Sequence, residues 1–286
     1  MATNSTIPKT PTTTRIRRRF EDLGRRGEMG LVAFLTAGDP SLEATESFVL
    51  ALDEAGADVV ELGVPFSDPV ADGPAIQRSS ERALRGGTTL AGVLDLVESI
   101  RRKSDVPLVL FSYYNPVLQM GIERFSQRAA DAGADGVLIT DLTPEEARDY
   151  RRIVHAYGLD TIFLAAPTST DERLARIAEV SSGFLYVISR TGVTGARESL
   201  PEDLPALIRR VRRASRLPVA VGFGISLPGQ VSILGGLADA AVVGSALVQE
   251  IEQAPTVEAA REALAARVRM LKHAGRAGMS RREPGA

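Results

Sequence analysis

Three observations predict an α/β fold, a (β/α)8 barrel in a single domain with an extra N-terminal helix. Eight short runs rich in Val, Ile and Leu recur along the chain, each followed by an amphipathic stretch. The runs do not alternate apolar with polar residues, which marks strands covered on both faces, as parallel strands are. A helix-to-strand join also repeats: Ala55-Gly56-Ala57-Asp58-Val59-Val60 returns as Ala132-Gly133-Ala134-Asp135-Gly136-Val137, and loosely as Leu237-Ala238-Asp239-Ala240-Ala241-Val242. Eight strand–helix units of this kind close into a barrel.

In chain order, residues 15–27 pattern as a helix with Ile16, Phe20 and Leu23 on one face, suited to closing the barrel floor. Its arginines read as a solvated face. Strands are expected at 31–37, 58–62, 107–112, 135–140, 160–165, 183–188, 218–222 and 240–243. Helices are expected at 43–55, 89–102, 121–132, 144–157, 171–180, 201–214, 228–234 and 257–272. A further helix at 74–84 follows the second strand, and Ser245 opens another. Glycine supplies the helix cap in two of the three repeated joins, so these joins read as architecture. Residues 1–13 read as a disordered extension, 14–272 as the barrel domain and 273–286 as a flexible tail.

The 286 residues are 44% hydrophobic and 24% charged, the proportions of a soluble chain with a full core. A formal net charge of −2 offers no electrostatic footprint for nucleic acid or an anionic membrane. No apolar run approaches the roughly 18–20 residues that span a bilayer, and the N-terminus has no apolar signal core. A cytoplasmic location is the default expectation. The lack of cysteine removes disulfides, thiol nucleophiles and thiolate metal ligands. Lysines stand only at 9, 103 and 272, none at an expected strand end, so a Schiff-base mechanism has no nucleophile. The only histidines are His155 and His273, so no metal site is expected. Carbon–carbon chemistry here would need carboxylates and a substrate that supplies its own electron sink.

On a barrel the loops after the strand C-termini carry the chemistry. The stretch from Glu61 to Gln77 is the most informative of these: an apolar strand stops at Glu61, and a Pro- and Gly-rich loop then carries Asp68 and Asp72. Glu61 reads as an acid–base group with a pKa raised by burial, or as a structural acid paired to an arginine. Asp72 reads as a second such acid or as the N-cap of the 74–84 helix, and Asp68 as a turn or interface residue. Gly222-Phe223-Gly224, Gly244-Ser245 and the loop holding Gly192 and Gly195 can converge backbone N–H groups on a phosphate; the alternative is tight strand-to-helix turns. Thr194 lies in that last loop, as a lid residue or in an ordinary mobile loop. Phe34, Tyr113, Tyr186 and Phe223 fall near strand ends, where they would form a flat apolar slot or simply core.

The motifs ELGVPFSDPVADGPAIQ, FLTAGDP, SYYNPV, SRTGVTG, VGFGIS and VGSALV resemble, in order and spacing over about residues 14–272, the tryptophan synthase alpha subunit family. The resemblance implies a TIM barrel that cleaves indole-3-glycerol phosphate to indole and glyceraldehyde 3-phosphate by a retro-aldol reaction. It implies that Glu61 handles the proton at indole C3 and assists at the glycerol hydroxyl, and that Asp72 binds the indole N–H. Thr194 would close the lid over Asp72, and Gly195, Gly224, Gly244 and Ser245 would bind phosphate. Phe34, Tyr113 and Tyr186 would line the indole pocket. The family also implies a pyridoxal-phosphate beta subunit in an alpha2beta2 complex, met through Asp68 and Asn115-Pro116; this chain itself would need no cofactor. The N-terminal extension, the Arg-rich tail after 275 and the 140–144 loop depart from the family pattern, although Asp141 is kept. Three other readings stay open: a stand-alone lyase releasing free indole, a noncatalytic barrel acting as a regulatory partner, and a different phosphosugar enzyme sharing only the phosphate cradle.

Overall fold

The apolar runs become nine parallel strands in the computed structural model, which describes residues 14–189 and 200–279. They are β1 (Gly30–Thr36), β2 (Val59–Gly63), β3 (Leu108–Ser112), β4 (Gly136–Ile139), β5 (Asp160–Ile162), β6 (Leu164–Ala165), β7 (Leu185–Ile188), β8 (Val219–Gly222) and β9 (Ala240–Val243). Their order is β5-β4-β3-β2-β1-β9-β8-β7-β6. The two ends of that order, β5 and β6, are the single strand expected at 160–165, interrupted at Phe163. One half pairs with β4 and the other with β7, so the sheet closes on itself. Across the break, Thr161 O accepts from Ser182 N–H at 2.7 Å and Phe163 O from Tyr186 N–H at 3.3 Å.

Around the strands lie α1 (Arg15–Arg26), α2 (Leu42–Ala55), α3 (Pro74–Arg85), α4 (Leu90–Arg101), α5 (Tyr114–Met120), α6 (Ile122–Ala132), α7 (Arg148–Ala156), α8 (Asp171–Val180), α9 (Leu204–Ala214), α10 (Pro228–Gly235), α11 (Ser245–Gln253) and α12 (Val257–Met279). Successive strand residues face opposite ways. Leu31, Ala33, Leu35, Val60, Leu62, Leu108 and Leu110 therefore join the layer under the helices. Val32, Phe34, Val59, Val109, Phe111, Leu138 and Val242 fill the barrel interior. Glu61 follows the inward set, in register with Phe34 on β1 and Val109 on β3. As its pattern predicts, α1 plugs the floor with Ile16, Phe20 and Leu23, and Phe20 meets the Phe184 ring at 5.6 Å.

The aspartates of the repeated join have a role that the pattern alone does not disclose. Asp58 accepts the N–H of Leu31 at 2.8 Å, and Asp135 and Asp239 do the same for Leu108 and Val219, each at 2.8 Å. Each carboxylate thus satisfies an N–H at the start of a neighbouring strand, the first of β3 and β8 and the second of β1. Cations then balance them: Asp58 pairs with Lys272 and Arg19, Asp135 with Arg101 and Arg15, Asp239 with Arg212.

Two helices correct the sequence reading. α5 was expected as loop; Pro116 is tolerated in its first turn, and the carboxylate of Asp141 accepts Tyr114 N–H at 2.7 Å. α12 runs past 272, where a flexible tail was expected, as far as Met279. Gly275 and Gly278 weaken the local helical signal, but they let α12 lie directly on α10: a Cβ on Gly278 would stand 2.1 Å from Ser232 O. Thr194, Gly195, residues 1–13 and the tail beyond 279 lie outside the described residues. Among those described, no helix is long and apolar enough to cross a membrane.

Candidate active site

β2 carries Glu61 into the barrel at the top of its interior. The side chain is fully buried, and neither carboxylate oxygen has a hydrogen-bond partner among the described residues. The paired-arginine reading of Glu61 therefore fails there. Burial alone pushes its pKa up to about 8. Tyr186 faces it from β7, and burial together with the Glu61 charge holds that phenol well above its ordinary range. Glycine makes room for the rings beside the acid. A Cβ at Gly222 would come within 2.3 Å of the Tyr186 hydroxyl, and one at Gly63 within 2.6 Å of Phe34 Cζ. Phe34 meets Phe111 edge-on at 5.2 Å, and Tyr186 meets Phe223 at 5.9 Å. Phe34, Phe111 and Tyr186 belong to the buried interior cluster, and Phe223 packs against it.

Asp72 belongs to the loop that leaves β2. Its helix-cap reading is overturned: Gly73 is the N-cap of α3 and no side chain caps that helix. The Asp72 carboxylate instead hydrogen-bonds Tyr113, whose hydroxyl also accepts Ala71 N–H at 2.9 Å. Phe66 stacks on the Tyr113 ring at 5.0 Å, which holds the loop against β3. Asp72 is 8% exposed. Burial raises its pKa to about 6, and the Tyr113 hydrogen bond opposes the rise.

Opposite these acids stand the ends of β8 and β9. Phe223 and Gly224 take left-handed backbone angles, φ +65° and +86°. Gln230 braces the turn, its Oε1 accepting Ser226 and Leu227 N–H at 2.8 and 2.9 Å and its Nε2 donating to Gly224 O at 3.3 Å. Ser189 donates to Phe223 O. α11 starts at Ser245 with Gly244 as N-cap and no side-chain cap, so its positive end opens at the strand C-termini. A cavity of about 510 Å³ among the loops after β4, β6 and β7 is lined by Leu142, Phe163 and Leu164 together with Asp141, Ser169 and Arg173, and neither Glu61 nor Asp72 borders it. A larger one, about 610 Å³, lies at the floor beside Thr14, Asp160 and Ser182, away from the acids.

A buried acid, a second acid on the adjoining loop and a helix N-terminus without a side-chain cap thus share one mouth. The family model for the tryptophan synthase alpha chain matches residues 20–276. The chain belongs to this family. The tryptophan synthase alpha chain of Solibacter usitatus is 56% identical over 240 residues, 84% of this chain and 90% of that relative. That of Geotalea daltonii is 52% identical over 239 residues, with the same two shares, 84% and 90%. Among solved structures, Mycobacterium tuberculosis tryptophan synthase superposes with a TM-score of 0.84 at 37% identity, covering 92% of this chain and 99% of its own. Tryptophan synthase subunit alpha from Legionella pneumophila does so with 0.84 at 37% identity, covering 92% and 98%.

Within this tryptophan synthase alpha chain framework, Glu61, Phe34, Tyr186 and Phe223 gather on the inner wall, with Asp72 and Tyr113 on the β2 side. Gly224, Gly244 and Ser245 stand at the ends of β8 and β9. Asp68 and Asn115 are exposed and Pro116 half-buried; the same two segments expose Val70 (81%) and Leu118 (48%). Phe66 and Gln230 are not among the residues to which the sequence points. Gln230 had a signal, since it is the third residue of a helix that Pro228 opens; Phe66 had none.

Proposed function

We propose that Glu61 and Asp72 perform the acid–base work of the alpha reaction, the cleavage of indole-3-glycerol phosphate to indole and glyceraldehyde 3-phosphate. The observation that carries this is the buried carboxyl of Glu61 at the barrel mouth, without a hydrogen-bond partner among the described residues. With its pKa near 8, Glu61 is protonated at neutral pH and gives its proton to indole C3. The ring becomes an iminium with its charge at N1, where ionised Asp72 accepts the N–H and stabilises that charge. Glu61, now a carboxylate, takes the proton of the glycerol hydroxyl on the carbon bonded to C3. That oxygen becomes the aldehyde carbonyl, the bond to C3 breaks, and its electron pair returns to the ring. Glu61 ends protonated, as it began.

Gly224, Gly244 and Ser245 hold the phosphate with backbone N–H groups, and Phe34, Tyr113, Tyr186 and Phe223 flank the indole. Thr194 and Gly195 take the lid and phosphate roles that the family resemblance gives them. Asp68, Asn115 and Pro116 face a beta subunit in an alpha2beta2 complex, supported by the exposed Val70 and Leu118 on the same segments. Pyridoxal phosphate belongs to that partner, and the complex is cytoplasmic.

Indole release by Glu61→Gln and Asp72→Asn, with and without a beta subunit, tests the reading. Glu61→Gln is expected to abolish cleavage while phosphate binding survives, and Asp72→Asn to slow it by roughly 10²–10⁴. Near-normal cleavage by Glu61→Gln would sink the assignment. Full activity of the parent chain with no response to a beta subunit would favour a stand-alone lyase.

A further inference from the structure

One face of α3 is tied to two other elements by side chains that lie away from the acids. Arg82 sets Nε and Nη2 on the two carboxylate oxygens of Asp39, each at 2.8 Å, and Nη1 on Glu252 at 2.8 Å. One turn earlier, Arg78 grips the same Glu252 through Nε at 2.8 Å and Nη2 at 2.6 Å. Between them Ser79 shares a hydrogen bond of 2.6 Å with Thr36. Asp39, in the loop after β1, is 1% exposed, and Thr36 and Ser79 are buried. Glu252 lies in the last turn of α11. α3 is thereby fixed both to the β1 loop and to α11.

The two helices joined in this way each begin at a different end of the proposed substrate. α3 starts at Pro74, two residues after Asp72, and Gln77 on its first turns holds Asp72 O at 2.9 Å. α11 starts at Ser245, at the phosphate end. A helix is stiff over its few turns, so a rotation allowed at the Arg82 end would appear as a displacement at Asp72. A buried ion pair is weak evidence for stability, because apolar side chains can do as well. A three-way guanidinium fork does supply direction, which a lysine or an apolar contact lacks.

We infer that Arg82 is a positioning residue: by locking α3 to the β1 loop and to α11, it sets the distance between the Asp72 carboxylate and the phosphate-binding start of α11. The inference rests on the roles proposed above for Asp72 and Ser245. The clamp acts as a ruler for the substrate, aligning the ring at one end once the phosphate is seated at the other.

Glu252→Ala and Arg82→Lys in the full chain test it, with Arg85→Ala as a control on an exposed pair of the same helix. Glu252→Ala leaves Asp39 held by Arg82, so folding is expected to survive. Turnover should fall about 10–100-fold, as a misplacement near 1 Å does, with KM and the affinity for inorganic phosphate within about threefold. Arg82→Lys should lose at least as much, and Arg85→Ala nothing. In an Asp72→Asn background Glu252→Ala should add little further loss, because the clamp acts through Asp72. A lowered melting temperature with unchanged turnover in both clamp variants would overturn the inference, as would full additivity with Asp72→Asn. Normal turnover of Asp72→Asn alone would instead refute the role of Asp72 on which the clamp depends.

Discussion

Burial pushes Glu61 up to about 8, whereas Asp72, held by Tyr113, reaches only about 6. Between those values one acid carries its proton and the other does not, which is the division that protonation at C3 and charge stabilisation at N1 require. kcat/KM should therefore rise with pH through about 6 and fall through about 8, and a pH–rate profile of the free enzyme checks both limbs. Stability carries a second signature. Below the ordinary value of 4.5 Glu61 is protonated in both states; from there to about 8 the unfolded chain releases the proton while the folded one retains it. Stability thus falls as pH rises across that window, by about 3 kcal/mol at pH 7. Glu61→Gln, which never ionises, should gain that much over the parent at pH 7 and nothing at pH 4, as urea unfolding would show. The sequence disclosed Glu61 because a carboxylate interrupts an apolar run there, although β2 itself continues to Gly63. It did not disclose what Asp72 touches, because Tyr113 is brought beside it by the pairing of β2 with β3.

The elements were legible where a single periodicity decides them. The strand expected at 240–243 is observed there, and the helix expected at 171–180 agrees likewise. They were less legible where tertiary contact overrides a local signal, as at Pro116 in α5, at Gly275 and Gly278 in α12, and at the break of Phe163. Gly222 shows the same lesson inside the site: in sequence it looks like part of a phosphate turn, yet on β8 it also leaves space for the Tyr186 ring. Gly222→Ala would force that ring out of its buried place. The substitution should lower kcat/KM at least tenfold and cost roughly 1–3 kcal/mol of stability, the usual penalty for overpacking. Activity assays combined with thermal unfolding check both parts, and unchanged activity would remove Tyr186 from the pocket wall.

At the scale of the whole molecule, counting strand–helix units was enough to foresee a closed barrel, but not how its floor is fastened. That fastening depends on Thr14, Arg15 and Arg19 reaching Asp160, Asp135 and Asp58. Replacing Arg15 and Arg19 with Ala should speed amide hydrogen exchange in α1 while leaving kcat intact, since α1 lies at the end of the barrel opposite the acids. Such fastening also has a consequence for synthesis. α1 is the first described element to leave the ribosome, yet its N-cap Thr14 bonds Asp160, 146 positions later, and its Phe20 packs on Phe184, further on still. Until more than half of the polypeptide has followed, the greasy side formed by Ile16, Phe20 and Leu23 has no finished seat, and in that interval a chaperone would find its handle on the newborn chain.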